Sequence, residues 1–386
     1  MSEPSCHRSQ ELPESGSATN QKRIAIILPT LQGGGAEIVN LILAREFIAR
    51  GHTVDFVLMQ AKGELLQQVP AGCEVLGLEA ARFRNGLLPL VRYLRKRRPD
   101  ALLASMWPLT GLANLALLLA RGAANFVAVE HCNLETTPQI GFFERRILRR
   151  FGWLCYGRAV AVVAVSQGAA GALARSTGLH GERVTVIHNP SRSFDESTPP
   201  GEDAAILNWW SAGQGRILAI GALKEEKDYA TLFRGFAKLC ERRQARLVVL
   251  GEGRQRNSLT ALAQQLGISD NLRMPGFCGN PFPFLQRCDA FATASRSEGF
   301  CNVILEALAC GAPVVSTDCN YGPGEILENG AFGRLVPVGD AAALAEALDE
   351  TLSTTHDCAM LRRRAAEFSP AAIADRYLQL LFPAAA

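Results

Sequence analysis

The chain's 386 residues contain no Cys-x-x-Cys pair, although eleven cysteines are scattered from Cys6 to Cys358. The odd count and irregular spacing speak against structural zinc and a disulfide framework, and free thiols in a reducing cytoplasm are expected. No complete Gly-x-Gly-x-x-Gly occurs, so the usual fingerprint of a dinucleotide site is missing. Recognition-helix, zinc-finger and RNA-binding signatures are absent as well, and nucleic acid is not an expected partner. Neither a short repeat nor a secretory leader is found. Residues 1–20, polar and rich in Ser, Glu and Pro, read as a disordered tail.

Long apolar runs are scarce. One uncharged stretch of twenty residues, 101–120, has the length to cross a bilayer. Pro108, Thr110, Gly111 and Asn114 break it, and it reads better as a buried strand over 101–106 followed by a helix opened by Pro108.

What is present is an ordinary globular composition, 48% hydrophobic and 20% charged, with enough chain for two or three domains and a core that needs no staples. The net charge of +3 is unevenly spread. Residues 21–190 carry 20 Lys and Arg against 11 Asp and Glu, whereas 191–386 carry 19 against 23, as if two units met different partners.

Short apolar strands alternate with amphipathic helices through both halves. The pattern predicts strands at 23–28, 53–59, 101–106, 125–129, 160–165 and 184–187 in the front half. In the back half it predicts strands at 216–220, 246–250, 271–274, 289–293 and 313–316, with helices at 228–242, 254–266, 302–310, 340–353 and 370–381. Strands spaced by helices imply right-handed crossovers and a mostly parallel sheet. Residues 191–215, rich in Pro, Ser and Gly, are the expected interdomain connection. The fold class is therefore α/β, with two facing, doubly wound, Rossmann-like domains and a cleft between them. The front domain covers 21–190 and the back domain 216–370. A C-terminal helix and tail, 371–386, is expected to pack back on the front domain. In such sheets ligands bind at the carboxyl ends of the strands.

Three features at strand ends carry chemistry. Gly33-Gly34-Gly35-Ala36-Glu37 opens a helix, where glycines let amides approach an anion; a plain tight turn is the alternative. Lys227 follows a strand and is placed to meet a phosphate, or is simply a solvated lysine in a charged loop. Glu298-Gly299-Phe300-Cys301-Asn302-Val303-Ile304-Leu305-Glu306 puts one carboxylate in a loop, helix amides after it, and a second carboxylate one turn into the helix. Carboxylates accept paired hydrogen bonds from sugar hydroxyls, though acidic residues at a helix start are also common for electrostatic reasons.

This Glu-x7-Glu pattern, followed by Ala307-Leu308-Ala309-Cys310-Gly311-Ala312-Pro313-Val314-Val315, closely resembles the retaining glycosyltransferases of family 4 (group 1), with the GT-B fold. Gly34-Gly35-Ala36-Glu37, Glu130-His131, Val165-Ser166, His188-Asn189-Pro190, Gly221…Lys227, Met274-Pro275-Gly276-Phe277 and Gly322-Pro323-Gly324-Glu325 extend the resemblance over about residues 22–380.

The resemblance implies that Glu298 binds donor-sugar hydroxyls, helped by main-chain groups of Phe300, Cys301 and Asn302. It implies that His131 contacts the donor sugar near the reacting centre, a buried structural histidine being the alternative. Glu306 would take the nucleotide ribose, Lys227 the diphosphate, and Gly34 and Gly35 would approach the diphosphate from the front domain. Gly251, Gly253 and Phe277 lie where the family places the base. One departure stands out: the family's arginine after the first glycine of the phosphate motif is Ala222 here. Its loss removes a contact of roughly 1.5–3 kcal/mol unless another group, Lys224 or Arg216, replaces it.

No Asp-x-Asp occurs, the motif with which GT-A transferases hold a divalent cation, so no metal and no cofactor are expected. The implied activity is retaining transfer of a hexosyl or N-acetylhexosaminyl group from a nucleotide-diphosphate sugar, UDP first and GDP next, to a saccharide or lipid-linked acceptor in cell-surface glycan assembly. A sugar-nucleotide epimerase or phosphorylase of the same architecture, a NAD-dependent oxidoreductase and a non-catalytic sugar-nucleotide binder are the other classes. Two basic stretches, Arg92–Arg98 and 142–154, are candidates for peripheral contact with an anionic membrane, against ordinary solvated helices. A cytoplasmic protein, peripheral at the inner face of the membrane, is the expected setting.

Overall fold

The computed structural model describes residues 21–131, 134, 141–192 and 204–383. The tail 1–20 and the Pro- and Ser-rich part of the connection, 193–203, lie outside the described residues. The front half runs β1 (Arg23–Leu28), α1 (Gly35–Ala49), β2 (Thr53–Leu58), β3 (Cys73–Gly77), α2 (Leu87–Arg97), β4 (Ala101–Ser105), α3 (Leu109–Ala120), β5 (Asn125–Glu130), α4 (Phe142–Phe151), β6 (Ala159–Ala164), α5 (Gln167–Thr177) and β7 (Val184–Val186). The back half runs α6 (Ala204–Ser211), β8 (Arg216–Ile220), α7 (Tyr229–Cys240), β9 (Arg246–Leu250), α8 (Arg256–Gln265), β10 (Leu272–Gly276), α9 (Phe282–Leu285), β11 (Ala290–Thr293), α10 (Asn302–Cys310), β12 (Val314–Thr317), α11 (Pro323–Ile326), β13 (Arg334–Val336), α12 (Ala341–Ser353), α13 (Cys358–Ala366) and α14 (Pro370–Leu381).

Two wholly parallel sheets result. Seven strands in the order β3-β2-β1-β4-β5-β6-β7 form the first, and six in the order β10-β9-β8-β11-β12-β13 form the second. Central strands such as β4 are buried at every residue, as expected of a parallel strand covered on both faces. The uncharged run 101–120 is thus a core strand plus helix α3, and among the described residues no helix is long and apolar enough to cross a membrane. Pro108 stands just outside α3 as its N-cap residue instead of occupying its first turn.

The connection is more than a linker. From Ala204 it forms α6, whose Trp210 is fully buried beside Phe284 and donates from Nε1 to the Arg246 carbonyl at 3.2 Å. Trp209 lies under the guanidinium groups of Arg246 and Arg273. The aromatic pair is what the composition-based reading of a Pro- and Ser-rich stretch overlooked.

The last helix, α14, lies against α1 and β5 of the front sheet. Its Ile373, Ala374, Tyr377 and Leu381 are buried, Asn125 Nδ2 donates to the Leu381 carbonyl at 2.8 Å, and Arg50 pairs with Asp375 at 2.8 Å. One apolar cluster runs without a break from β1 and α1 through α14 to α10 and β11, joining the two sheets. Tyr377 adds its ring to that cluster, but its hydroxyl is buried without a hydrogen-bond partner among the described residues. An unpaired buried hydroxyl costs about 1–3 kcal/mol. Tyr377→Phe is therefore expected to raise the urea midpoint, and Tyr377→Ala to destabilise by about 3–5 kcal/mol; equal losses from both would show that the hydroxyl is bonded.

Candidate active site

The carboxyl ends of the strands supply the site. After β1, the turn at Gly33, with φ of +96°, leads into α1, whose N-cap is Gly34. A methyl group on Gly33 would lie 3.9 Å from the Phe277 ring, and one on Gly35 would lie 3.2 Å from Asn302 Nδ2. Phe277 and Asn302 belong to the other domain, so the glycine turn is the wall of a narrow cleft. A side chain on Gly34 would instead meet Glu37 of its own helix.

Facing it, β11 leads into Ser295 and the loop to α10. Glu298 Oε1 accepts from Lys227 Nζ at 2.6 Å and from Ser295 Oγ at 2.5 Å. Burial pulls the Lys227 ammonium toward neutrality, but the Glu298 carboxylate, by its charge and its hydrogen bond, outweighs it and holds the pKa above the ordinary lysine value. The sequence assigned Lys227 and Glu298 to different parts of a ligand; the structure joins them as one half-buried ion pair. An ammonium has three donors, so Lys227 can keep Glu298 and still meet an anion.

Cys301 takes a left-handed conformation, φ 72° and ψ 63°, at the N-cap of α10, a backbone state that costs a non-glycine residue about 1–2 kcal/mol. Its thiol is buried, and burial, then Glu298, raises its pKa well above the usual value, so it is no thiolate. The Cys301 side chain does not cap this helix, and no described side chain accepts from its first amides, which suits an anion there. Asn302 is tied across the cleft: its Oδ1 accepts from Asn189 Nδ2 at 2.8 Å and its Nδ2 donates to the Gly35 carbonyl at 3.4 Å. Phe300 is buried, its ring stacked on His188 with centroids 5.1 Å apart.

Glu306, one turn into α10, is buried and accepts no hydrogen bond from a described residue. Burial pushes its carboxyl up to about 7, with Arg192 acting in the opposite direction. On the front side, His131 follows β5. Both ring nitrogens are shielded from solvent and unpartnered among the described residues, and burial lowers its pKa to about 4. It is a neutral imidazole whose two nitrogens are free of partners among the described residues. The preceding Glu130 is sunk in the core, accepting from the Trp107 amide, Thr110 Oγ1 and Tyr156 Oη at 2.8–2.9 Å.

Two glycines have a structural role of their own, and one expectation needs correction. Side chains on Gly251 and Gly253 would strike the carbonyls of Gly221 and Leu223, so these glycines make room for this chain's own backbone. Arg216 cannot replace the arginine missing at Ala222, because it starts β8 at the opposite end of the strand and is bound to Asp289 through Nε at 3.0 Å and Nη2 at 2.6 Å. Lys224 is exposed in the loop after β8.

Sequence reasoning gave no role to Ser166 or Glu325, although both lie in motifs it quoted. Ser166 Oγ caps α5 by accepting from the Ala169 amide and donates across the cleft to the Gly299 carbonyl at 2.9 Å. Glu325 of α11 reaches the other way, to the amides of Gln167 and Gly168. Neither partner is near in sequence, so spacing alone gave no signal.

Comparison with known proteins agrees with this geometry. The model of Glycosyltransferase Family 4 matches residues 33–190, and that of Glycosyl transferases group 1 matches residues 210–368. The chain is 26% identical, over 86% of its length and 90% of the relative's, to an N-acetylgalactosamine-N,N'-diacetylbacillosaminyl-diphospho-undecaprenol 4-alpha-N-acetylgalactosaminyltransferase of Campylobacter jejuni. It is 36% identical to the lipopolysaccharide core biosynthesis glycosyltransferase LpsE of Rhizobium meliloti over 43% of this chain and 49% of that one. In fold it resembles HepE of Anabaena, solved in complex with UDP and glucose, with a TM-score of 0.76 at 22% identity, covering 94% of this chain and 99% of that one. Two facing parallel-sheet domains of the GT-B kind, matched half by half by these two models, make the chain a member of glycosyltransferase family 4, group 1.

Proposed function

We propose that this glycosyltransferase moves a hexosyl or N-acetylhexosaminyl group from a UDP-sugar, with retention and without a metal, to a saccharide or lipid-linked acceptor in cell-surface glycan assembly. The observation that carries the reading is the Lys227–Glu298 pair set at the uncapped start of α10, opposite Gly35. An ammonium and free helix amides neutralise a leaving diphosphate, while the carboxylate holds sugar hydroxyls. His131, neutral and with neither nitrogen partnered among the described residues, suits contact with an uncharged sugar. No side chain is assigned as a nucleophile; rate comes from charge stabilisation and from positioning across the cleft. The HepE complex with UDP and glucose supports the donor class, and the Campylobacter relative supports a lipid-linked acceptor.

The surface supports peripheral membrane contact. On α4 the apolar Phe143 and Ile147 are 78% and 61% exposed, not turned to the domain, and Phe151, Trp153 and Leu154 follow them into solvent. Asn114 Nδ2 donates to the Leu154 carbonyl at 3.0 Å, bringing the exposed Leu115, Leu118 and Leu119 of α3 alongside. Arg146, Arg149 and Arg150 share the helix, which suits an anionic lipid surface. A cavity of about 280 Å³ behind α4, lined by Arg145, Arg149 and Arg175, fits an anionic group on the acceptor. The run Arg92–Arg98 is less suited: Arg97 pairs with Glu74, and Arg95 donates to the Leu119 carbonyl at the end of α3.

Glu298→Gln and Lys227→Ala are each expected to cut UDP release from a UDP-sugar by about 100-fold or more in EDTA, by analogy with loss of a charge-stabilising group. Wild-type turnover in both would refute the site. Ala222→Arg is expected to tighten UDP binding tenfold or more by calorimetry, from the 1.5–3 kcal/mol of a charge-assisted contact. The double variant Phe143→Glu, Trp153→Glu should lose co-sedimentation with phosphatidylglycerol vesicles at low salt while binding UDP normally; unchanged sedimentation would remove α4 from the membrane.

A further inference from the structure

The two domains touch through a set of contacts that none of the donor-binding roles explains. At its centre is Glu325. Its Oε2 accepts from the Gln167 amide at 2.9 Å and its Oε1 from the Gly168 amide at 3.1 Å, the first two amides of α5 in the opposite domain. These donors have no partner within their own helix, so a carboxylate from the back domain completes a front-domain helix and meets the positive end of its dipole. The approach is close: a side chain on Gly168 would run into the Tyr321 ring.

Glu325 is itself held. Arg364 of α13 is buried and donates to the carbonyls of Glu325 at 2.8 Å and Ile326 at 2.9 Å, with its guanidinium 4.9 Å from the Phe368 ring centroid. Glu325 Oε2 also lies 3.2 Å from His188 Nε2. The His188 ring stacks on Phe300 and meets Phe368 edge-on at 5.4 Å. Phe300 stands two residues after Glu298, in the loop that opens α10. His188 and Phe368 lie on the two strands of chain that cross between the domains, bonded to each other by the Ser191 amide and the Phe368 carbonyl at 2.7 Å. Burial opposes the charge on Glu325, but His188 and the two amides prevail and keep its carboxyl below the ordinary range.

We propose that Glu325 is a positioning residue for glycosyl transfer: by capping α5 from the opposite domain it holds the cleft closed, and through His188 and Phe300 it fixes the loop carrying Glu298. This rests on the donor site described above. Glu325 itself touches no reacting atom; it sets the distance between the domain that holds the diphosphate and the domain that holds His131. Opening the clamp leaves the back-domain contacts to UDP in place and misaligns the reacting groups.

The test uses the full chain and its variants Glu325→Ala, Glu325→Gln and His188→Ala. Small-angle scattering without ligand reads closure, calorimetry with UDP reads nucleotide binding, and UDP release from UDP-glucose and UDP-N-acetylglucosamine reads turnover. Glu325→Ala should enlarge the radius of gyration and lower kcat by roughly 10- to 100-fold. Its KM and its Kd for UDP should stay within about threefold, and Glu325→Gln, which keeps one acceptor oxygen, should fall between. A purely structural role would lower the melting temperature and leave kcat per folded molecule unchanged. Wild-type kcat and wild-type scattering in Glu325→Ala would overturn the proposal. If Glu325→Ala does not fold, Glu325→Gln and His188→Ala give the same decision. Failure of the wild type to bind UDP would refute the donor reading instead, and the scattering comparison would still decide the clamp.

Discussion

A parallel strand can be followed only by a crossover that returns the chain to the same edge of the sheet, and every strand pair here is parallel. Each crossover therefore leaves a loop at the carboxyl edge and starts a helix there. Turning two such edges toward each other concentrates helix amides, glycine turns and short loops in one place, where charge is costly unless paired. The Lys227–Glu298 pair answers that constraint inside the back domain, and Asn302 answers it across the cleft. The glycines of the back domain answer a different one. Gly251 and Gly253 let the loops after β8 and β9 lie backbone to backbone, so that the floor of the site is built before any ligand enters.

Hinge and donor loop share their side chains. The two crossing segments are joined by the bond between Ser191 and Phe368, and the ring of Phe300 packs against both His188 and Phe368. Phe300 lies in the donor loop itself, so the crossing segments touch that loop directly, without a relay through the core. Stacked rings tolerate small rotations, whereas the hydrogen bonds at Ser166 and Glu325 do not. Closure is thus defined by polar contacts and permitted by aromatic ones.

Most of the architecture was readable because buried parallel strands are short apolar runs and their helices are amphipathic; β1, β8, β9, α10 and α14 fall where the pattern placed them. The pattern missed β3, an edge strand with Glu74 and Gly77 exposed, because an edge need not be apolar on both faces. It missed β13, only three residues long, and α13, whose arginine run looks solvated although Arg364 is buried. Lys227, Glu298, Glu306 and Asn302 were legible from their spacing and from family likeness. Their pairings were not, since the bond from Lys227 to Glu298 spans 71 residues and that from Gln167 to Glu325 spans 158. Local periodicity carries no information about such contacts.

The position of α14 has a consequence for how the protein is made. The front sheet is completed at β7, but the face of α1 and β5 that α14 covers stays bare until Leu381 has been synthesised. At roughly 5–20 residues per second, that apolar surface is without its lid for about 10–40 s of translation. During that interval the back domain is emerging beside it. The chain cannot finish its first domain before it has made its second, and a truncation that spares both sheets but removes the last helix leaves the face of α1 and β5 uncovered.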